Sequence, residues 1–179
     1  MTLFGPRYRS DIMTSSSLCW LCIIKIFWLL LLANGTPVIA RDLLKNIASW
    51  PLDFGYRFVD GRPLLGYSKT WRGLLLSMLV CGAIAPFLGF SVALAIQFSL
   101  LSLLGDLLAS FYKRRLGLAE SSRFRILDIF PESLLPLIVL YDSLAINALE
   151  AAIVVLLFFL TEIYLSPILY KLHIRKRPY

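Results

Sequence analysis

In the stretch LLGDLLASFYKRRLG, residues 103–117, one carboxylate, Asp106, sits inside an apolar run that breaks seven residues later into Lys113, Arg114 and Arg115. On a helix, at about 100° per residue, Ser99, Ser102, Asp106, Ser110 and Lys113 fall on one stripe less than about 90° wide, and Gly117 continues it. The other faces are mostly Leu, Ile, Phe and Ala. A carboxylate in mid-membrane costs about 2.5–3.5 kcal/mol on insertion scales, so such residues face a bundle interior or a wet cavity. The serines alone read more readily as hydrogen-bonding groups between helices. Asp106, one to two turns from a Lys-Arg-Arg cluster, reads as a site residue, with pairing to a buried Arg as the alternative.

Residues 41–72 hold Asp53, Asp60, Arg62, Lys69 and Arg72, punctuated by Gly55, Gly61 and Gly66. Carboxylates interleaved with Lys and Arg near glycines suit a metal–polyphosphate ligand. Oxygens hold the cation, cations hold phosphate, and glycine lets the backbone approach. A solvated loop with turns at DFG and DGR accounts for the same residues equally well. Asp128 and Glu132 flank the start of a later apolar segment, where Pro131 suits an early helical position and acids suit the helix dipole. Glu162 is a weaker candidate for the same cavity. The NGTP at 34–37 is expected to break the first helix and leave Asn34 facing a polar interior.

The elements that must position these groups follow from composition. The 179 residues are 59% hydrophobic with a mean hydropathy of +0.77, above the roughly 45–50% of an ordinary soluble domain. Apolar segments at 18–40, 73–112 (interrupted near PFLGF, 86–90) and 129–170 (with a turn near 142–147) are long enough for one, two and two helices. The expected fold is an all-α polytopic membrane protein of five transmembrane helices. It has a disordered tail at 1–17, one domain at 18–170, and a basic tail at 171–179. Residues 18–32 resemble a signal peptide, but the Arg- and Lys-rich stretch that follows favours retention. Met13 is a second candidate start. The loops 41–72 and 113–128 and the tail carry six, five and four Lys or Arg, against two (Arg7, Arg9) before the first span. Five spans put all three basic segments on one side, which the positive-inside rule makes cytoplasmic, with the N-terminus outside. The net charge of +7 is thereby accounted for without a nucleic-acid partner. Lys25 is an outlier inside the first span and is expected to snorkel. Cys19-x-x-Cys22 has no second ligand pair, His173 is the only histidine, and neither a zinc site nor a disulfide framework is indicated.

NGTPVIARDL, PLDFG, DGRPLLGYSKTWRG, GDLLASFYKRRLGL and LDIFPESLLPL, in this order from about Asn34 to Pro136, together resemble the CDP-archaeol synthases, small members of the CDP-diacylglycerol synthase group. The resemblance implies a CTP-dependent cytidylyltransferase of the cell membrane, with its site facing the cytoplasm. CTP and a lipid phosphate would give a CDP-lipid and pyrophosphate in phospholipid biosynthesis, with Mg2+ as cofactor and Mn2+ as its alternative. It implies that Lys69, Thr70 and Arg72 hold nucleotide phosphates. Asp106, Ser110, Lys113 and Arg114 match the serine–lysine–arginine element, and Asp128 matches the first aspartate of the closing acidic motif. Asp106, Lys113 and Asp128 are the expected catalytic residues, with Asp106 and Asp128 on the metal. Asn34, Asp53, Asp60 and Arg115 join the substrate-binding set. The closing motif departs from the family pattern: Asp128 is followed by Ile129, Phe130, Pro131 and Glu132, so Glu132 stands as the substitute second acid. Two readings from other classes remain beside this one: a non-catalytic membrane scaffold or transporter subunit, and a CTP-dependent polyprenol kinase.

Overall fold

The structure, a computed structural model, describes residues 18–45, 47–118 and 125–171, the side chains of 125, 126 and 165–171 excepted. The expected disordered tail with Arg7, Arg9 and Met13, the loop residue Arg123, and the basic residues beyond Lys171 lie outside the described residues. Among those described there are six helices and, beyond two isolated bridges, no strand. These are α1 (Trp20–Leu44), α2 (Trp71–Leu88), α3 (Val92–Arg115), α4 (Arg125–Val139), the one-turn α5 (Tyr141–Leu144) and α6 (Ala148–Lys171). Among the described residues, α1, α2 and α3 are long and apolar enough to cross a membrane. Large side chains such as Leu79, Phe87, Leu108, Ile138 and Leu156 point outward, as a lipid-facing surface allows.

Three expected boundaries are corrected. The first helix does not break at NGTP but runs through Pro37 to Leu44. Proline removes the N–H that would bond the carbonyl four residues back, here Ala33, and the Ser77 hydroxyl of α2 donates to that carbonyl at 2.7 Å. The same substitution recurs in α4. Pro136 leaves the Glu132 carbonyl free, and Ser102 of α3 donates to it at 2.8 Å. Lys113, Arg114 and Arg115 lie in the last turn of α3 rather than in a loop, where cations suit the helix dipole. Asp128 lies within the first turn of α4, not ahead of it.

The stripe read on α3 faces inward: Ser99, Ser102, Ser110 and Lys113 are all buried. Ser77 and Ser99 share a hydrogen bond of 2.8 Å, and Asn34 donates to Ser102 at 2.9 Å. The serines do act as contacts between helices. α3 packs against α4, α2 and α1, and α6 against α1 and α4. The tightest approach is at Gly105. A Cβ there would stand 2.1 Å from the Pro131 carbonyl oxygen and 2.7 Å from Glu132 Cα, so α4 rests on the bare backbone of α3.

The two ends of the bundle differ. At one, Arg62 of the α1–α2 connection donates to the carbonyls of Arg114 (3.3 Å) and Arg115 (2.6 Å) at the end of α3, so the basic connection meets the basic end of α3 there. At the other, Cys19 at the start of α1 donates its N–H to Glu150 at the start of α6, at 2.7 Å. Glu150 and Asn147 form a reciprocal cap. Lys25 reaches the α2–α3 turn, its Nζ 3.2 Å from where a Cβ on Gly89 would stand. Cys19 and Cys22 are joined in a disulfide, correcting the reading that no bridge was indicated: a spacing of three at a helix start brings two side chains together.

Two predictions follow from the packing. Gly105→Ala should destabilise the protein by about 1–3 kcal/mol through overpacking, read as a lower melting temperature in detergent; an unchanged value contradicts the close approach. Ser77→Ala should cost about 1 kcal/mol in the native background and measurably less beside Pro37→Ala, which restores the missing N–H. Equal costs in the two backgrounds would show that the serine does not serve the vacated carbonyl.

Candidate active site

The connection between α1 and α2 folds back on itself. Leu52 donates to the Lys69 carbonyl at 2.8 Å, Trp71 to that of Trp50 at 3.2 Å, and Leu64 to that of Tyr56 at 2.9 Å. The tip is a turn from Phe58 to Gly61, closed at 2.9 Å, with Gly61 at φ 74°, a conformation glycine adopts without strain. Asp53 ties the two legs together. Its Oδ1 accepts the Gly55 N–H at 3.0 Å, and its Oδ2 accepts those of Leu65 at 2.8 Å and Gly66 at 3.1 Å. Thr70 caps α2, accepting the Gly73 N–H at 3.3 Å. The folded connection thereby holds Lys69 over the bundle, where its ammonium pairs with Asp106.

A second pair lies beside it. Lys113 Nζ is 2.7 Å from Asp128 Oδ1, joining the end of α3 to the start of α4. Glu132 is buried and within electrostatic range of Asp106, Glu162, Lys69 and Asp128. The connection, α3, α4 and α6 therefore place two lysines and four carboxylates in one polar cluster. Asn34 reaches its edge through Ser102 to the Glu132 main chain, and Ser110 is buried on the same stripe.

Other expected ligand residues hold the fold. Arg72, buried, donates two bonds of 3.1 Å to the Lys45 carbonyl and another to that of Ile47, capping the end of α1. Its guanidinium is thereby occupied by main-chain carbonyls. Asp53 is occupied by the three amides. Asp60 pairs with Arg115 and accepts the Arg62 N–H at 3.1 Å. Desolvation pushes the Asp60 carboxyl up, but that amide and the Arg115 guanidinium prevail and hold it below the usual range. Arg115 also donates to the Pro63 carbonyl at 2.7 Å and stacks over Phe58 and Phe111, 4.7 and 5.1 Å from the ring centres. Arg114 is buried and donates to the Leu118 carbonyl at 2.5 Å. Arg62, to which the spacing assigns no partner, proves to be the link between the connection and α3. Its sequence signals are its place in the DGR turn and in the interleaved charges of the connection, and neither points to α3.

Chemically, the cluster is a set of exchangeable ion pairs. A polyanion can take the lysines, and the carboxylates so released can hold a divalent cation.

Residues 20–179 match the family model for CarS-like CDP-archaeol synthase. A CDP-archaeol synthase of Sulfurisphaera tokodaii is 36% identical over 157 residues, spanning 83% of this chain and 90% of its own. One of Pyrobaculum calidifontis is 33% identical over 169 residues, spanning 86% and 94%. A solved structure of an intramembrane enzyme for archaeal membrane lipids biosynthesis superposes with a TM-score of 0.68 at 28% identity, covering 78% of this chain and 89% of that one.

Because Lys69 and Asp106 are each about a quarter exposed (side-chain exposure 22% and 24%), breaking their pair should cost less than a fully buried pair, about 1–3 kcal/mol. Lys69→Met and Asp106→Asn should each lower the melting temperature in detergent, and the double variant should lie above the sum of the two losses. Strict additivity would show that the two side chains are not coupled.

Proposed function

The chain belongs to the CDP-archaeol synthase family, and from that membership, which makes it an integral membrane cytidylyltransferase, we propose the substrates, the ion and the residues of its reaction. It transfers the CMP moiety of CTP to the phosphate of an ether-linked isoprenoid lipid, giving a CDP-archaeol-type product and pyrophosphate. The observation that carries this reading is the pairing of Lys69 with Asp106 and Lys113 with Asp128 around the buried Glu132. Cations for phosphate and carboxylates for a metal are held together, each neutralised by the other until the ligands arrive.

An oxygen of the lipid phosphate attacks the α-phosphorus of CTP, and the bond from that phosphorus to the β-bridging oxygen breaks, releasing pyrophosphate. The nucleophile is already anionic, so no general base is needed. The barrier lies in bringing two polyanions together and in the charge on the departing group. Lys69 and Lys113 supply positive charge to the phosphate oxygens, Lys69 from the connection and Lys113 from α3. Ser102 and Asn34 hold the α4 backbone in place beneath Glu132. The tails stay in lipid while the head meets CTP at the end of the bundle.

The donor chemistry fits Mg2+. Asp106, Asp128 and Glu132 offer carboxylate oxygens alone, the set a hard cation prefers, and the buried Oδ1 of Asp128 has an ion partner but no aligned hydrogen bond. With each aspartate turned to its lysine, no three acidic, His or Cys side chains among the described residues converge closely enough to ligate an ion; Asp106 and Asp128 would hold it once released from their lysines. When bound, Mg2+ neutralises phosphate charge and favours departure of pyrophosphate.

The proposed setting is a five-span domain in the cell membrane. α4 and α6 complete the spans, the N-terminus is outside, and the end bearing Lys69, Lys113 and Arg115 faces the cytoplasm. The meeting of the basic α1–α2 connection with the basic end of α3 supports it.

Purified protein supplied with CTP, Mg2+ and an ether-lipid phosphate should release pyrophosphate and form a product of CDP-lipid mass. Asp106→Asn should lower turnover by on the order of 10²–10³ while the protein stays folded in detergent. No CDP-lipid from ether or ester lipid phosphates, or full activity in the Asp106 variant, would overturn the reaction or the site respectively.

A further inference from the structure

The connection between α1 and α2 exposes a set of large aromatic side chains. Trp50 (70% exposed), Phe54 (77%) and Tyr67 (67%), with Pro51 and Gly55, line a cleft of about 640 Å³. No charged residue is among the described residues that line it, and none of Lys69, Asp106, Lys113 or Asp128 does. We propose that this face of the connection is seated in the interfacial layer of the bilayer, and that the cleft takes the glycerol and upper chain segment of a bilayer lipid.

Three observations carry it. The first is depth. α2 has 18 residues and is about 27 Å long, close to the roughly 30 Å of a bilayer's hydrocarbon. Its first residue, Trp71, therefore stands at the boundary between hydrocarbon and headgroups, where Trp and Tyr are enriched. Trp71 ties the cleft to that level. Its N–H donates to the Trp50 carbonyl at 3.2 Å, and its ring centre lies 6.5 Å from that of Phe54. α3, which leaves the same short turn with 24 residues, is about 9 Å longer. The tip of the connection, held to the last turn of α3 by Arg62 and Arg115, stands that much farther out. The second is continuity. Trp71, Leu75 and Leu79 follow one another at intervals of four, and all are exposed, so the cleft adjoins the outward face of α2. Leu43 and Ile47, at the end of α1, are exposed as well. The third is the backbone of Phe54. Its φ of 49° is a left-handed conformation that Gly, Asn and Asp take more readily than a bulky residue. The contact with Trp71 still leaves Phe54 mostly exposed. The aromatic surface is thus offered to a partner outside the chain. A lipid fits an uncharged cleft at this depth, whereas a soluble partner would have to enter the headgroups to reach Trp71.

The bland alternative is a solvated loop that happens to carry aromatic residues. It accounts for the turns and for the charged pairs at the tip. It leaves unexplained why Trp50, Phe54 and Tyr67 gather on one uncharged cleft at the level of Trp71.

The test uses the native full chain reconstituted in phosphatidylcholine vesicles. A fraction of the lipid carries a diazirine at the top of one chain or, in a parallel sample, at the chain end, and photolabelled residues are read by peptide mass. The upper-chain probe should label Trp50, Phe54 and Tyr67. The chain-end probe should label Leu79, about 12 Å deeper than Trp71 along α2, and the three aromatics severalfold less. No substitution is involved, so folding is not in question. Phe54→Asp keeps a residue type that accepts the left-handed backbone. It should lower upper-chain labelling of Trp50 and Tyr67 severalfold while Leu79 is labelled as in the native protein. Labelling of Leu79 without labelling of the three aromatics overturns the proposal, whether the face is then bare, covered by a second copy or filled by nucleotide. Unchanged labelling of Trp50 and Tyr67 in Phe54→Asp overturns the cleft as the seat of the lipid. Absence of CTP turnover would remove the reaction reading and leave these labels as they are.

Discussion

The close approach of α4 to α3 at Gly105 is the constraint on which the other polar contacts depend. With the Pro131 carbonyl lying where a Cβ would otherwise stand, Glu132 is carried to the level of Asp106. α4 then runs antiparallel along α3, so that Asp128 comes within reach of Lys113. The long lysine side chain covers the remaining distance along the helix. Any larger residue at 105 separates the helices, and with them the carboxylates drawn from each. Packing and chemistry share one atom-scale requirement, which is why a glycine directly precedes the aspartate.

Prolines and serines work as complementary parts in the same region. Pro37 and Pro136 each leave a main-chain acceptor without its helical partner, and in a low-dielectric interior such a group must be satisfied. Ser77 and Ser102, from neighbouring helices, supply the donors. Each exchange replaces a bond within one helix by a bond between two. Helices that lipid would otherwise let slide past one another acquire a fixed register, and Asn34 extends the link from α1 to the backbone that carries Glu132.

Much of this was legible in the residues. The stripe from Ser99 to Lys113 marked the inward face of α3, and the family resemblance drew attention to Asp106, Lys113 and Asp128, which lie in two neighbouring ion pairs. The family resemblance is borne out by the match over residues 20–179. What spacing could not show was which carbonyls would lie near which cations. Arg72 and Asp53 bond to main-chain groups, and Asp60 and Arg115 pair with each other and with main-chain groups besides, because the loop's fold creates acceptors and donors that have no image in sequence order. The helix through NGTP was missed for the same reason: the residue that makes Pro37 tolerable, Ser77, stands forty positions away. Arg62 stood in the interleaved charge pattern of the loop, but its link to α3 had no sequence signal, since its neighbours at 114–118 become neighbours only through the fold of the connection.

The tie that Asp53 makes across the legs of the α1–α2 connection has a thermodynamic consequence. A segment already closed by its own amides surrenders little conformational freedom when a ligand arrives, so the ordering penalty that weakens binding by mobile loops is largely absent. In the proposed reaction, polyanion capture at Lys69 would then be an exchange of one ionic partner for another on a preset frame. Its free energy is governed by solvation and charge rather than by folding of the loop.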